Sequence, residues 1–274
     1  MAKLLKIGIV GCGAIGSSLA RVIVKDFSRQ AKLAAFYDID NRKARGLSKL
    51  ISRKRDLSAA HLKQLINKSG LVIEAASAAS SWDIARSALS SRRDIMIMSV
   101  GGIVNRFKEL SALAKKYNAK VYIPSGAISG IDALKAARIG KIKKVTLTTT
   151  KNPLSFRGVK YIEKKGLDLN AIKKDRTLFC GMAKDAVRYF PQNINVAAIL
   201  SIAGLGEDKT RVKIVASPRI NKNVHEIEIE SEAARIFTRT ENILHPDNPK
   251  TSYLAVLSAV AMLKQILEPI KIGT

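Results

Sequence analysis

Cysteine is scarce in this chain of 274 residues, which contains only Cys12 and Cys180. Two cysteines make neither a disulfide framework nor a cluster of metal ligands, so we predict no metal site. Aromatic residues make up only 5% of the chain. No apolar run approaches the ~20 residues that span a bilayer, and the N-terminus has the pattern of a strand rather than a signal peptide. The sequence therefore predicts a cytoplasmic protein with no membrane segment.

Acidic residues are also few, with 22 Asp and Glu against 48 Lys and Arg, and the formal net charge is +26. Such a charge is compatible with binding to nucleic acid or another polyanion. However, the basic residues are dispersed along the chain, and neither zinc-ligand spacing nor an aromatic-rich RNA-binding motif accompanies them. We therefore expect a basic surface that attracts anionic small molecules, and we do not expect nucleic acid as the partner.

The first 124 residues alternate between segments typical of strands and segments typical of helices. Short apolar runs predict strands at 4–10, 32–38, 71–76, 94–99 and 120–124. Helical spacing of apolar residues predicts helices at 14–25, 41–55, 58–66, 78–90 and 106–117. Strands separated by helices of this length form βαβ units with a parallel sheet. We therefore predict an α/β domain of the Rossmann type.

The pattern changes after about residue 125, where β-branched and alternating runs predict strands at 142–151, 210–217 and 223–240. Helices are expected at 129–139, at 194–203 and from Asn248 to residue 267, the last apolar on nearly all sides. We predict a dinucleotide-binding domain of residues 1–124 and 248–274, completed by this buried C-terminal helix. Residues 125–247 should form a smaller α+β domain with a mainly antiparallel sheet.

A glycine motif follows the first predicted strand. In "GIVGCGAIGSSLA", Gly11, Gly13 and Gly16 have the G-x-G-x-x-G spacing and flank Ala14 and Ile15. One glycine permits a tight turn, one lets backbone N–H groups approach a pyrophosphate, and one allows close helix–strand packing. The spacing is a weak signal by itself, but here a strand precedes it and a helix follows. We interpret these five residues as cofactor-binding.

An acidic residue ends the second predicted strand, as a dinucleotide site requires. Asp38, in "AFYDID", lies where a carboxylate would bind the hydroxyls of the adenine ribose. This residue favours NAD. Asn41, Arg42 and Lys43 follow it and could accommodate a 2′-phosphate, so the sequence leaves both NAD and NADP open.

Polar residues in three later segments are candidates for ligand binding. They are Ser125 after the fifth predicted strand, Asn193 and Asn195 before a helix, and Lys250, Thr251 and Ser252 at the predicted start of the last helix. Amides, hydroxyls and an ammonium group are suited to binding carboxylates. A turn between domains also explains Ser125, and helix capping is a strong explanation for one of the two asparagines. For Lys250, Thr251 and Ser252, capping and carboxylate binding are equally good explanations. The pattern alone does not decide between these interpretations.

His225 lies in "NVHEIEIE", where apolar and acidic residues alternate with a period of two. On a strand, this period places His225 on the same face as Ile227 and Ile229. A histidine on an apolar strand face is more often a hydrogen-bonded core residue than a catalyst. From this pattern alone, a structural role is the stronger interpretation.

The chain resembles the L-aspartate dehydrogenase family over nearly its whole length. The segments that carry the resemblance are "IPSGAISGIDALKAA", "TTTKNP", "FPQNINVAA", "NVHEIEIE" and "ENILHPDNPKTSYLA". The resemblance implies NAD(P)-dependent oxidation of L-aspartate to iminoaspartate, which hydrolyses to oxaloacetate and ammonia or feeds de novo NAD biosynthesis. It also implies a homodimer, and it makes residues 125–247 the domain for catalysis, substrate binding and dimerisation.

By position in these motifs, the resemblance places the catalytic histidine at His225, which reverses the structural interpretation given above. It places nicotinamide-side contacts at Ala127 and Asn195, and Asn193 is a near neighbour of Asn195 in the sequence. We expect Ser125, Lys250, Thr251 and Ser252 to include the substrate contacts. Two other functions stay open, namely an imine reductase of the dihydrodipicolinate-reductase type and a non-catalytic protein that binds polyanions.

Overall fold

The computed structural model describes residues 4–190, 194–246 and 248–273, with only the backbone described for residues 194 and 248–250. The chain divides into two compact units. Unit 1 comprises Met1–Pro124 and Val256–Lys271, and unit 2 comprises Ser125–Ala255 and Ile272–Thr274. The chain therefore leaves unit 1 after its first 124 residues and returns to it within the C-terminal helix.

Unit 1 contains a five-stranded parallel sheet. Its strands are β1 (Leu5–Val10), β2 (Ala31–Tyr37), β3 (Leu71–Glu74), β4 (Asp94–Ile97) and β5 (Val121–Tyr122). Their spatial order is β2-β1-β3-β4-β5. Every residue of β3 is buried, which is typical of a strand inside a parallel sheet with helices on both faces. The predicted Rossmann-type parallel sheet is confirmed. Its strand order reverses next to β1, which carries the glycine motif at its end.

The helices of unit 1 lie between these strands. They are α1 (Ala14–Asp26), α2 (Asn41–Ile51), α3 (Leu62–Lys68), α4 (Ala78–Ser90) and α5 (Phe107–Tyr117). Asp40 caps α2 by accepting a hydrogen bond from the Arg42 N–H at 3.1 Å. α2 ends four residues before its predicted end at residue 55. Ser52 is extended there, and its hydroxyl accepts a hydrogen bond from the Arg55 N–H at 3.1 Å, which favours a turn over another helical residue.

The C-terminal helix α10 (Tyr253–Leu267) contributes to the core of unit 1. Ala259 and Leu263 are fully buried in the same cluster as Ile7, Phe36 and other residues of the parallel sheet. Their spacing of four residues places them on one face of the helix. This face provides the apolar contacts that join the end of the chain to its first 124 residues.

Two expectations about this last segment were wrong. Residues Asn248–Ser252 form a short strand, β12, that pairs with β11 (Leu244–His245), and the helix begins only at Tyr253. A proline near a helix start is a common signal, but proline is equally compatible with an edge strand. The helix is also not buried on all sides, because Leu254 and Leu257 are 37% and 44% exposed.

Unit 2 contains a second five-stranded sheet. Its strands are β6 (Ile142–Lys151), β7 (Arg176–Met182), β8 (Arg211–Ala216), β9 (Asn223–Ser231) and β10 (Arg235–Asn242). The spatial order is β10-β9-β6-β8-β7, and only β6 and β8 are parallel. The predicted, mainly antiparallel sheet is confirmed. Strand β7 was not predicted, and the region 223–240 is a hairpin of β9 and β10.

The helices of unit 2 are α6 (Ile131–Ala137), α7 (Lys160–Lys164), α8 (Ala183–Tyr189) and α9 (Ile194–Ala203). The helices expected at 129–139 and 194–203 correspond to α6 and α9. Phe156, Phe179 and Phe190 form a compact aromatic group with Tyr161, and this group accounts for most of the few aromatic residues in the unit's core.

The two faces of the unit 2 sheet differ in chemistry. On one face, here called the inner face, Leu147, Ile227 and Ile229 are buried. On the opposite face, Glu226 forms an ion pair with Arg239 at 2.7 Å, and similar pairs continue along β9. The alternation expected for "NVHEIEIE" is therefore present, with apolar residues inside and carboxylates outside. Within the described ranges, no helix is long and apolar enough to cross a membrane.

Candidate active site

Three glycines shape the turn between β1 and α1. Gly11 has a φ of +92°, and a Cβ at this position would lie 2.4 Å from the Ala75 carbonyl oxygen. A Cβ at Gly16 would lie 2.0 Å from the Gly11 carbonyl oxygen, so the first turn of α1 packs directly on the glycine turn. A Cβ at Gly13 would meet nothing within 4 Å. This open side of the turn leaves room for an anionic group to approach the backbone at the helix N-terminus.

Asp38 directly follows β2 and is bound to the glycine turn. Its Oδ2 accepts a hydrogen bond from the Cys12 N–H at 2.8 Å, and its Oδ1 accepts one from the Asp40 N–H at 2.9 Å. Arg42 forms an ion pair with Asp40 at 3.0 Å. The carboxylate is thereby fixed at the carboxyl edge of the parallel sheet. The predicted cofactor residues that unit 1 brings together here are Gly11, Gly13, Ala14, Ile15, Gly16 and Asp38.

Glu74 is a buried carboxylate at the end of β3 that the sequence analysis missed. Its side-chain oxygens accept hydrogen bonds from the N–H groups of Ala76 and Ser99, each at 2.9 Å. Burial raises its pKa, and these N–H groups act in the opposite direction. Glu74 therefore joins the loops that follow β3 and β4, next to the glycine turn. The signal in the sequence was a single acidic residue at the end of the apolar run "LVIE".

Neither thiol nor metal chemistry is visible near the turn. Burial, followed by the negative charge of Asp38, raises the pKa of Cys12 to about 12, so its thiol is protonated and unreactive at neutral pH. The described residues contain no group of three or more His, Cys, Asp or Glu side chains able to hold a metal ion. The other polar side chains of interest lie in unit 2, on the inner face of its sheet.

His225 is the central polar residue of the inner face. It lies on β9 directly opposite Thr149 of β6 and Thr240 of β10. The Thr149 hydroxyl oxygen and His225 Nδ1 are 3.0 Å apart, and His225 is only 4% exposed. Burial, and then the positive charge of Lys151, lower the pKa of His225 to about 3. The imidazole is therefore neutral at neutral pH.

The Thr149 hydrogen bond occupies one nitrogen of the ring, Nδ1, and leaves Nε2 as the other polar atom. When Nδ1 carries the hydrogen and donates it to the Thr149 hydroxyl, the lone pair of the ring lies on Nε2. Within the described residues, Thr149 is the one hydrogen-bond partner of this ring. Nε2 is therefore the atom of His225 that has no hydrogen-bond partner among the described residues. Thr149 was not singled out from the sequence, where "TLTTT" reads only as a β-branched strand.

The loop of residues 125–130 lies against β10, beside this histidine. The Asn242 side-chain amide donates a hydrogen bond to the Ala127 carbonyl oxygen at 3.0 Å, and the Ser129 and Thr240 hydroxyls are 2.9 Å apart. The Ser252 hydroxyl donates to the amide oxygen of Asn242. Asn242 thus holds two of the predicted site residues, Ala127 and Ser252, on the inner face. The sequence gave no reason to select Asn242, because it lies at the end of a polar strand.

The other predicted residues of unit 2 have different environments. Ser125 and Thr251 are half-buried, and Asn195 is exposed in the first turn of α9. Lys250 lies on strand β12, with its side chain outside the described part of the chain, and Asn193 lies outside the described residues. The hydroxyl residues expected at the start of the last helix lie instead at the end of β12. They directly precede the helix, so they remain close to its N-terminus.

Two family models match the chain, each over one of its halves. The model described as "Homoserine dehydrogenase, NAD binding domain" matches residues 11–124. The model described as "Aspartate dehydrogenase, C-terminal" matches residues 132–266. The first region contains the glycine turn and Asp38, and the second contains His225 and its neighbours on the inner face.

Individual relatives are similar to the chain over almost its whole length. A protein named L-aspartate dehydrogenase from Methanococcoides burtonii is 44% identical over 99% of this chain and 100% of the relative. One of the same name from Methanosarcina barkeri is 43% identical with the same coverage. The crystal structure of an aspartate dehydrogenase from Thermotoga maritima has a TM-score of 0.73 at 25% identity, and the match covers 99% of this chain and 100% of that one.

A structure of different activity shares the fold. A homoserine dehydrogenase from Thiobacillus denitrificans has a TM-score of 0.64 at 13% identity, and the match covers 97% of this chain and 73% of that one. At this level of identity the likeness concerns the fold alone. Since one fold supports several different reactions, the reaction has to be inferred from the residues of the site.

Proposed function

The chain belongs to the L-aspartate dehydrogenase family, and we propose that it oxidises L-aspartate to iminoaspartate with a nicotinamide dinucleotide as the acceptor. The observation that supports this most is the 44% identity with an L-aspartate dehydrogenase over 99% of the chain. Released iminoaspartate hydrolyses to oxaloacetate and ammonia. If it is captured before hydrolysis, it feeds de novo NAD biosynthesis.

We assign the dinucleotide to the glycine turn and Asp38. The open side of Gly13 fits a pyrophosphate, because the backbone can approach it with no Cβ in the way. The fixed carboxylate of Asp38 fits the two hydroxyls of the adenine ribose. We assign Ala127, Asn193 and Asn195 to the nicotinamide end by their positions in the family motifs. When bound, the nicotinamide ring accepts the hydride that leaves the substrate.

His225 is proposed as the general base. Hydride leaves the Cα of an amino acid readily only when the amino group is neutral, so a proton must first be removed from the ammonium group. Neutral imidazole can accept this proton at Nε2 while Thr149 holds Nδ1. A pKa of about 3 is low for a base. The negative charges of a bound dicarboxylate would raise it towards the working range, since opposite charges favour the protonated ring.

The substrate would be held by groups on the inner face and at the start of α10. We assign Ser125, Lys250, Thr251 and Ser252 to its carboxylates, because hydroxyl and ammonium groups donate hydrogen bonds to such anions. Ser252 is already oriented by Asn242. The positive charge of the protein as a whole attracts the two carboxylate groups of L-aspartate and raises the local concentration of the substrate.

The activity can be tested by following reduced nicotinamide in absorbance with the purified protein. We expect reduction of the cofactor with L-aspartate and little or none with D-aspartate or L-glutamate, which differ in configuration and in length. An imine reductase on the same scaffold would instead oxidise reduced cofactor in the presence of cyclic imines. A non-catalytic polyanion-binding protein would reduce no cofactor and would bind polyanions with a steep dependence on salt.

We propose NAD rather than NADP as the preferred cofactor, and Asp38 is the reason. A carboxylate bound to the ribose hydroxyls repels a 2′-phosphate, and Arg42 is engaged by Asp40. For Asp38→Asn, kcat/KM with NAD should fall about tenfold or more, the scale of one hydrogen bond to a charged group, while kcat/KM with NADP should rise. The ratio of the two kcat/KM values measures the effect.

Asp26→Asn is the matched control for this prediction, because it removes one exposed carboxylate from the same unit. It should leave the ratio unchanged. A ratio in Asp38→Asn equal to that of the unsubstituted protein would show that Asp38 does not contact the ribose.

We further propose a cytoplasmic homodimer, as the family implies. Sedimentation equilibrium of the purified protein would give twice the chain mass in that case.

A further inference from the structure

We propose that Lys151 is a substrate-binding residue that holds one carboxylate group of L-aspartate beside His225. The inference rests on the proposed function and extends it to a residue that the family assignment does not include. It follows from the position of Lys151 on the inner face and from the lack of a counter-charge around it among the residues that the structure describes.

The strand register places Lys151 on the inner face near the histidine. Thr149 of β6 lies directly opposite His225, and Lys151 follows two residues later on the same strand. Since strand residues two apart point to the same side, Lys151 shares the face of Thr149 and His225. On the other neighbouring strand, β8, the residue opposite Lys151 is Ala216, whose small side chain leaves space. The lysine backbone is fixed there, because its carbonyl accepts a hydrogen bond from Ser217 at 2.9 Å.

Lys144 of the same strand provides a direct comparison. It lies on the opposite face, where its ammonium group pairs with Glu230 at 3.2 Å and Glu228 at 3.7 Å. Lys151 is half-buried, and in the part of the chain that the structure describes no carboxylate charge shifts its pKa. A cation removed from water without a partner is costly, and a ligand carboxylate would offset that cost. The inner face therefore has a place for one negative charge that the described residues do not supply.

The electrostatics of the pair support this position. Burial lowers the pKa of Lys151 to about 8, so the ammonium form is still the larger fraction at pH 7. The positive charge of Lys151 also lowers the pKa of His225, which places the two groups within electrostatic reach. A carboxylate of the substrate at Lys151 would therefore bring the adjoining amino group close to the imidazole. It would also remove the repulsion between the lysine and a protonated His225.

The test compares Lys151→Met, Lys151→Arg and Lys144→Met in steady-state oxidation of L-aspartate. Lys151→Met removes the charge and keeps most of the volume, so KM for L-aspartate should rise about tenfold or more, the scale of a charge-assisted hydrogen bond. The value of kcat should change less than KM. Lys151→Arg should recover most of the loss, and Lys144→Met should leave KM unchanged.

The pH dependence gives a readout that a structural role would not produce. Binding of the carboxylate needs protonated Lys151, so KM of the unsubstituted protein should rise as the pH increases through about 8. In Lys151→Arg this rise should move to higher pH, because guanidinium does not titrate in this range. Titration of the substrate amino group is common to both proteins and cancels in the comparison. Removal of the lysine charge should also raise the pKa of His225 in Lys151→Met.

Thermal unfolding and NADH binding are measured for each variant to establish that the variant protein is folded. Lys151→Gln serves as a second neutral variant should Lys151→Met fail to fold. A folded neutral variant with unchanged KM for L-aspartate would overturn the inference while leaving the proposed function intact. A raised KM that Lys151→Arg does not restore would equally contradict it. If the unsubstituted protein does not oxidise L-aspartate at all, the proposed function fails, and this inference fails with it.

Discussion

Replacement of His225 by alanine should lower kcat for L-aspartate oxidation by about 100-fold or more, the usual scale for loss of a general base. The reason is that Nε2 of His225 is the proposed acceptor of the substrate's ammonium proton. NADH binding should stay close to that of the unsubstituted protein, because the glycine turn and Asp38 belong to the other unit. Steady-state kinetics and NADH fluorescence titration measure the two effects separately.

His61→Asn is the control for this prediction. His61 is an exposed residue whose Nδ1 caps α3 by accepting a hydrogen bond from the Gln64 N–H at 3.1 Å, and asparagine keeps a capping group there. Its activity should match that of the unsubstituted protein. A folded His225→Ala protein with full activity would remove His225 from the mechanism. A loss of NADH binding as large as the loss of kcat would point to a structural role instead.

Substitution of Gly16 by alanine should destabilise the protein by about 2–3 kcal/mol, the cost of forcing an extra methyl group into a packed site. A Cβ at Gly16 would lie 2.0 Å from the carbonyl oxygen of Gly11, which is backbone and cannot rotate away. α1 would have to move off the glycine turn, so cofactor affinity should fall as well. Urea denaturation gives the change in the free energy of unfolding.

Gly13→Ala is the matched variant at the same turn, and its expected result is different. A Cβ at Gly13 meets nothing within 4 Å, and its φ of −76° suits alanine. The free energy of unfolding should therefore change by less than about 1 kcal/mol, the scale of a changed helix cap. NAD binding should still weaken, because the methyl group occupies the space assigned to the pyrophosphate. Equal destabilisation of both variants would show that the two glycines do not have the separate roles proposed for them.

Most of unit 1 was predictable because its signals are local. The apolar run of β1, the glycine spacing after it and the acidic residue after β2 together identify a βαβ unit, whatever the rest of the chain does. The alternation in β9 likewise predicted that His225 lies on the apolar face of the strand. In each case the period of the apolar residues matches the period of the backbone structure that buries them.

The partners of the site residues could not be predicted, because they depend on strand register. Thr149 and Asn242 are ordinary polar residues in sequence, and their roles follow only when β6 and β10 are aligned on either side of β9. Glu74 is similar, since its two N–H donors belong to different loops. The start of α10 was placed too early because the proline signal of "NPKTS" fits an edge strand as well as a helix start.

The central claim is that the hydrogen on Cα of L-aspartate is transferred to the nicotinamide. It is tested most directly by incubating the protein and NAD with L-aspartate that carries deuterium at Cα, followed by mass spectrometry of the reduced cofactor. We predict that the reduced nicotinamide carries one deuterium atom from the substrate. Formation of reduced nicotinamide without deuterium, or no reduction of the cofactor with this substrate, would contradict the assignment.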